Sequence, residues 1–405
     1  MCKPFSFLSW LSFAGIALVL GFVMPANATI TPHPLFTDNM VLQQGMEIPV
    51  WGWADEGESV TVTLGDQSAQ TTTQNGQWMV RLGKQPAGGP LEMKIKGNNE
   101  IVVKNVLVGE VWVCSGQSNM QMNVQSVDNA EEEINNANYP NIHLFSVPLT
   151  ASRLPQKNVD GQWSVCTPET IPGFSAVAYF FGRDLHKALN VPVGLIHSSW
   201  GGSACEAWVT RETLESDLKL KILVDRWDKI AQEADASWGK YMDELNEWRQ
   251  QANQREEKGE RYVGPPQAPR YDNRNSNSRS SALYNAMIAP LVPYSIQGAI
   301  WYQGETNAGR AYQYRNLFPT LIQDWRKQWG NENLSFHFVQ LANFQASRDG
   351  NDTWPELREA QTMTLSVPKT GMAVTLDIGN PTDIHPRNKQ DVGYRLALAA
   401  RKVTY

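Results

Sequence analysis

The hydrophobic pattern of the chain falls into two regimes. Over residues 30–105 short alternating or β-branched runs follow one another, and 47–53, 59–64 and 78–82 read as strands with no segment of helical period between them. Asn75-Gly76 separates two such runs, a dipeptide suited to a two-residue hairpin turn, and Gly88-Gly89-Pro90 and Gly97-Asn98-Asn99 punctuate the next strands. A small β-sandwich over residues 29–105 is predicted. From residue 106 onward, apolar runs at 106–113, 193–196, 295–301, 334–341 and 371–378 alternate with helical stretches, the pattern of a mostly parallel sheet with helices on both faces. The helices are predicted over 174–189, around Leu317, Leu321, Trp325 and Trp329, and over 390–402. A strongly charged helical segment at 214–258 carries Trp227, Trp238 and Trp248, and the Pro-, Asn-, Arg- and Ser-rich run at 264–281 reads as a loop. Together, 214–281 reads as an insertion forming a lid or rim on a second domain that spans 106–405.

Ahead of both regions, Lys3 precedes an apolar run over 5–24 and then Pro25-Ala26-Asn27-Ala28, whose Ala-x-Ala pattern marks a cleavage site. Residues 1–28 are therefore expected to be a secretory signal peptide and the mature protein, beginning near Thr29, to be exported to the periplasm or the medium. A retained anchor is the alternative, and the helix breaker counts against it. No later run is apolar enough to span a bilayer. Loss of this leader, whose only charge is Lys3, takes the net charge from −6 to −7, so nothing calls for a nucleic-acid partner. Fifteen tryptophans, many in polar contexts, are compatible with surfaces that stack on sugar rings, although any single one is better read as core. Cys114, Cys166 and Cys205 remain after the leader; one disulfide with a free thiol and three reduced, buried cysteines both fit, and no spacing resembles a metal site.

The stretch from Val111 to Met120 carries the candidate chemistry. An apolar strand runs into Gly116-Gln117-Ser118, a turn that lifts a serine out at the C-terminal edge of a sheet, where ligands of open α/β sheets collect. Met120 stands where a second glycine would complete a Gly-x-Ser-x-Gly elbow, so that motif does not apply. Acyl transfer by a serine needs a base, a group that orients the base, and donors for the oxyanion. Among the six histidines, His33, His186 and His337 read as structural, His143 has no special neighbours, and His197 ends a strand at a glycine pair. His385 follows a strand end through a loop containing Asp383, so both side chains can face the sheet edge. The amides of Gly201 and Gly202, and the side-chain amides of Gln303 or Asn307, are candidate oxyanion donors after two further strands.

These motifs, with Trp200-Gly201-Gly202-Ser203, the run Ala299 through Ala308, and Asp383-Ile384-His385-Pro386, resemble the sialate O-acetylesterase family of carbohydrate esterases, of the SGNH hydrolase fold. The likeness begins at Leu35-Phe36-Thr37-Asp38-Asn39-Met40 and runs to the chain end. It implies a three-layer α/β/α core with an accessory β-domain, no metal and no cofactor, and an acetylated carbohydrate as substrate, sialic acid foremost and acetylated xylan the rival. A non-catalytic carbohydrate-binding protein is the alternative of another class. By motif, Ser118 is the nucleophile, His385 the base, Asp383 the third member, Gly202 with Gln303 the oxyanion site, and Gln117, Asn119, Trp200, Glu305 and Asn307 the substrate contacts. Related enzymes often place an aspartate three residues before the histidine; here Thr382 stands there and Asp383 lies two before. The carboxylate either orients the imidazole or holds the loop through backbone amides.

Overall fold

The computed structural model describes residues 29–261, 263–269, 276–345 and 353–405. The expected signal peptide and part of the loop at 264–281 lie outside the described residues.

Eight strands come first: β1 Thr31–Pro32, β2 Val41–Gln43, β3 Ile48–Trp53, β4 Ser59–Leu64, β5 Gln67–Thr72, β6 Gln77–Leu82, β7 Gly88–Lys96 and β8 Glu100–Gly116. β3 pairs antiparallel with β1 and β6 in one sheet, while β4 pairs with β5 and β7, and β7 with β8, in another. Asn75 and Gly76 do take the positive φ values, 54° and 71°, that the turn needs. The strands flanking them do not form a hairpin ladder beyond the single bridge Gln74 to Gln77. β5 stays with β4 and β6 crosses to β3, because Trp78, Val80 and Leu82 bury one face of β6. This turn therefore joins two sheets, not two neighbours of one.

β8 is seventeen residues long, and its second half becomes the centre of the other region. There it accepts β11 Val193–Ser199 on one side and β12 Gly298–Tyr302 on the other, both parallel. With β9 Tyr139–Ser146, β13 Ser335–Val339 and β14 Thr370–Ala373 the parallel order is β9-β11-β8-β12-β13-β14, and β10 Ser164–Cys166 closes the β9 edge antiparallel. The division expected at 105/106 thus falls inside one continuous strand. Burial on both faces explains why these strands read as unbroken apolar runs.

The helices are α1 Ser118–Gln121, α2 Ala130–Asn135, α3 Ala176–Leu189, α4 Arg211–Ser216, α5 Leu218–Glu257, α6 Ala311–Trp329, α7 Trp354–Met363 and α8 Lys389–Val403. Ser175 caps α3 by accepting the Ala178 N–H at 3.2 Å, and Asn190 ends it in the left-handed region. Phe181 of α3 packs edge-on against Trp112 of β8, with ring centroids 5.1 Å apart. The neighbouring strand sends Trp301 to Phe318 and Trp325 of α6 instead. Charged α5 buries only Leu220, Leu223, Val224 and Ala231 along its forty residues, which accounts for its weak apolar stripe. No helix among the described residues is long and apolar enough to cross a membrane.

Candidate active site

The nucleophile candidate is positioned by strand geometry. Gly116 ends β8 with φ 139°, and a Cβ there would meet the Tyr302 carbonyl oxygen at 2.1 Å, so only glycine lets β8 and β12 stay paired up to the turn. The Gln117 N–H donates to that same carbonyl at 2.9 Å. Ser118 then opens α1, half-buried, while Gln117 and Asn119 on either side are 3% and 1% exposed. Ser118 Oγ lies 2.8 Å from Nε2 of His385, a residue 267 positions further along the chain. The side chain of His385 is 42% exposed, so the pair opens to solvent.

The loop that carries His385 is built from short-range bonds. Asn380 Oδ1 accepts from the N–H groups of Thr382 and Asp383 at 2.9 and 3.2 Å, and Asp383 Oδ1 accepts the His385 N–H at 2.8 Å. The Asp383 carboxylate stands 3.9 Å from His385 Nδ1, beyond hydrogen-bond length. Of the two roles open to it from sequence, the hydrogen bond it makes is the one that holds the loop. Burial and the nearby Lys389 ammonium lower the His385 pKa from its ordinary value, and the Asp383 charge opposes them.

Of the glycine pair, Gly201 packs on the Ser118 turn and Gly202 follows it in the chain. A Cβ on Gly201 would lie 3.3 Å from Ser118 Cβ. Its N–H is already taken by Gln121 Oε1 at 2.7 Å, whereas no acceptor among the described residues takes the N–H of Gly202, which has φ 74°. Gln303 is not brought to this surface. It is fully buried, and its amide donates to Ser203 O at 3.3 Å and to Asn307 Oδ1 at 2.6 Å while accepting from the Tyr314 hydroxyl at 2.9 Å. Asn307 is 1% exposed and donates to Glu206 Oε2 at 2.9 Å, and Glu206 also binds Arg310 at 2.6 Å. These side chains brace the turn after β12 against the segment after β11.

The other expected substrate contacts divide in the same way. Gln117 Oε1 accepts the Thr306 N–H at 3.3 Å. Asn119 donates to Glu305 Oε1 at 2.5 Å and to the Ile384 carbonyl at 3.0 Å. Trp200 and Glu305 are half-buried, and they alone of the five keep exposed surface. Sequence reasoning missed Gln121, Glu206, Tyr314 and Lys389. Lys389, 0% exposed, donates to Asn119 Oδ1 at 2.5 Å; its nearness to His385 in the chain was visible, its burial was not.

The remaining histidines stay apart from this pair. His33, His197 and His337 are held neutral by burial, with pKa values pushed down to about 4, 4 and 3, while His143 and His186 bond to backbone carbonyls. Cys114, Cys166 and Cys205 are free and buried, and burial pushes the Cys166 thiol up to about 12.

A serine hydroxyl in reach of an imidazole, at the C-terminal edge of a parallel sheet, is the constellation of an acyl-transferring hydrolase. Comparison with known proteins gives the same class. Residues 271–402 match the family described as carbohydrate esterase, sialic acid-specific acetylesterase. The sialate O-acetylesterase of Mus musculus is 34% identical over 91% of this chain and 73% of its own length, and that of Homo sapiens is 33% identical over 96% and 75%. A crystal structure of a carbohydrate acetylesterase from Xanthomonas citri shares 37% identity and a TM-score of 0.77, covering 93% of this chain and 76% of that one. The chain belongs to the sialate O-acetylesterase family and is a carboxylic ester hydrolase.

Proposed function

We propose that this protein is an exported serine esterase that removes O-acetyl groups from carbohydrates, sialic acid foremost, through an acetyl-serine intermediate. The observation that carries the reading is the 2.8 Å approach of Ser118 Oγ to His385 Nε2. In the mechanism, Ser118 Oγ attacks the acetyl carbonyl carbon and His385 Nε2 accepts its proton. The tetrahedral oxyanion is assigned to the N–H of Gly202, the residue after the Gly201 that packs on Ser118. His385 then returns the proton to the departing sugar oxygen, leaving an acetylated Ser118. Water, deprotonated by the same imidazole, attacks that ester and releases acetate and the free serine. Asp383 contributes by fixing the loop and by its negative charge near Nδ1. Gln303 and Asn307 are given a bracing role, the Glu305 carboxylate is turned inward onto Asn119, and Trp200 remains the sugar contact.

The finer fold reading belongs with this proposal: an SGNH-type α/β/α core over 106–405, a β-sandwich over 29–105, and a rim or lid at 214–281. Export rests on the leader pattern of residues 1–28. The sialic acid preference is supported by the names of the mouse and human relatives, while the Xanthomonas citri protein, named only as a carbohydrate acetylesterase, favours the wider reading with acetylated xylan as rival. Acetate release from O-acetylated sialic acid and from acetylated xylan, with Ser118→Ala beside the wild type, tests both levels. The expected result is faster turnover on the sialic acid and a loss on the order of a million-fold in Ser118→Ala. Preference for xylan overturns the substrate, and an active Ser118→Ala overturns the mechanism.

A further inference from the structure

Beneath the Ser118–His385 pair lies a charged cluster that no motif announces. Lys389 opens α8, fully buried, with its ammonium 2.5 Å from Asn119 Oδ1 and 5.1 Å from the centroid of the Tyr302 ring. The other end of the Asn119 amide donates to Glu305 Oε1 at 2.5 Å and to the Ile384 carbonyl at 3.0 Å. The second oxygen of Glu305 is buried without a partner, so its charge is left to the field of the ammonium. One neutral amide therefore stands between a cation and an anion. Its oxygen must face the first and its nitrogen the second, which removes the ambiguity an isolated amide would have. Ser118 precedes Asn119 in the chain and His385 follows Ile384, so this single orientation fixes where both reacting side chains start.

We propose that Lys389 is a positioning residue of this esterase, holding the Asn119 amide in the orientation that clamps the Ser118 turn to the His385 loop. The inference rests on Ser118 and His385 being the reacting pair. Lys389 is too deeply buried to touch a substrate. Nor does stability account for it, since an apolar side chain of similar length avoids the desolvation that an ammonium suffers there. The groups facing it are Glu305 after β12, Asp383 and His385 from its own loop, the Tyr302 ring and Asn119. Burial lowers its pKa to about 7 against the opposing charges of Glu305 and Asp383. Its positive charge also lowers the His385 pKa, so removing it raises the basicity of the imidazole.

Two substitutions separate hydrogen bond from charge. Lys389→Met removes both, and Lys389→Gln keeps a donor for Asn119 Oδ1 without the charge. Assayed on 4-nitrophenyl acetate, Lys389→Met is expected to lose about 100-fold in kcat with KM little changed, the scale of a misplaced reacting group. Lys389→Gln recovers much of that loss. In both, the acid limb of kcat/KM moves up toward the ordinary histidine value. A thermal melt shows that each variant is folded. Wild-type kcat in folded Lys389→Met, or an acid limb that does not move in either variant, overturns the proposal. Should Lys389→Met fail to fold, Asn119→Ala, which removes the clamp itself, takes its place, and wild-type kcat in the folded variant overturns the proposal. Ser118→Ala in the same assay separates the cases: its retained activity would mean that the reading of the reacting pair has failed, not the role of Lys389.

Discussion

The two halves of the candidate site are built in opposite ways. The Ser118 turn is buried on both sides, ends a strand whose second half is paired to β11 and β12, and is bonded to Tyr302, Trp200 and Thr306. In the loop that carries His385, residues 380–383 are exposed, and the bonds that shape it run mostly between residues two or three apart. Among the described residues its longer ties include the Asn119 amide on Ile384, the Gln345 N–H on Pro381 at 3.0 Å, the ion pair from Asp377 to Arg395 at 2.6 Å, and Arg387, which accepts the Asp128 N–H at 3.1 Å and donates to the Val127 carbonyl at 3.3 Å. A site made this way separates two properties. The position of Ser118 is a property of the whole sheet, whereas the position of His385 is a local equilibrium that a few polar groups control.

The contrast is open to attack from either half. Gly116→Ala strikes the stiff side, where its Cβ would collide with a strand carbonyl at an unfavourable φ, and stability is expected to fall by about 3 to 5 kcal/mol. A melting temperature equal to that of the wild type would show the turn to be far more compliant than described. Asp383→Asn strikes the soft side. The melt should stay put while kcat drops about tenfold, well short of the four orders of magnitude that loss of a buried, hydrogen-bonded triad carboxylate costs. A loss of that larger size would mean that the carboxylate swings onto Nδ1 in the working enzyme. The smallest effect concerns pH. His385 must be neutral to accept a proton, so kcat/KM is present above its pKa and lost as pH falls through it. With that pKa lowered by burial and by Lys389, the acid limb should lie below the ordinary value of 6.5, and Asp383→Asn should push it lower still by removing the one opposing charge. A limb above 6.5 in the wild type would contradict this balance.

Much of this was legible before any coordinates. Apolar runs at 193–196, 295–301 and 334–341 marked β11, β12 and β13 because strands buried on both faces have no alternation to hide. Ser118 and His385 were singled out as residues at strand ends, and they do meet. What stayed hidden depends on partner choice at long range. The dipeptide Asn75-Gly76 specified its own φ angles but not which sheet β6 would join, since that is decided by where Trp78 finds a core. Gln303 and Asn307 carry amides suited to an oxyanion, and only the positions of Ser203, Tyr314 and Glu206 show those amides to be occupied. Lys389 carried no signal of its role, because charge in a sequence says nothing about depth.

The unbroken course of β8 bears on how the molecule could be cut. Its first half supplies the partner for β7 and β2, with Val103, Val106, Leu107 and Val108 all buried, and its last residue sets the geometry at Ser118. A chain begun at residue 106 would start in mid-strand and bare an unpaired apolar border, the kind of edge that recruits other chains. The N-terminal strands are in this sense a seal as much as an accessory: shortening the protein from that end trades a solvent-free flank for a sticky one.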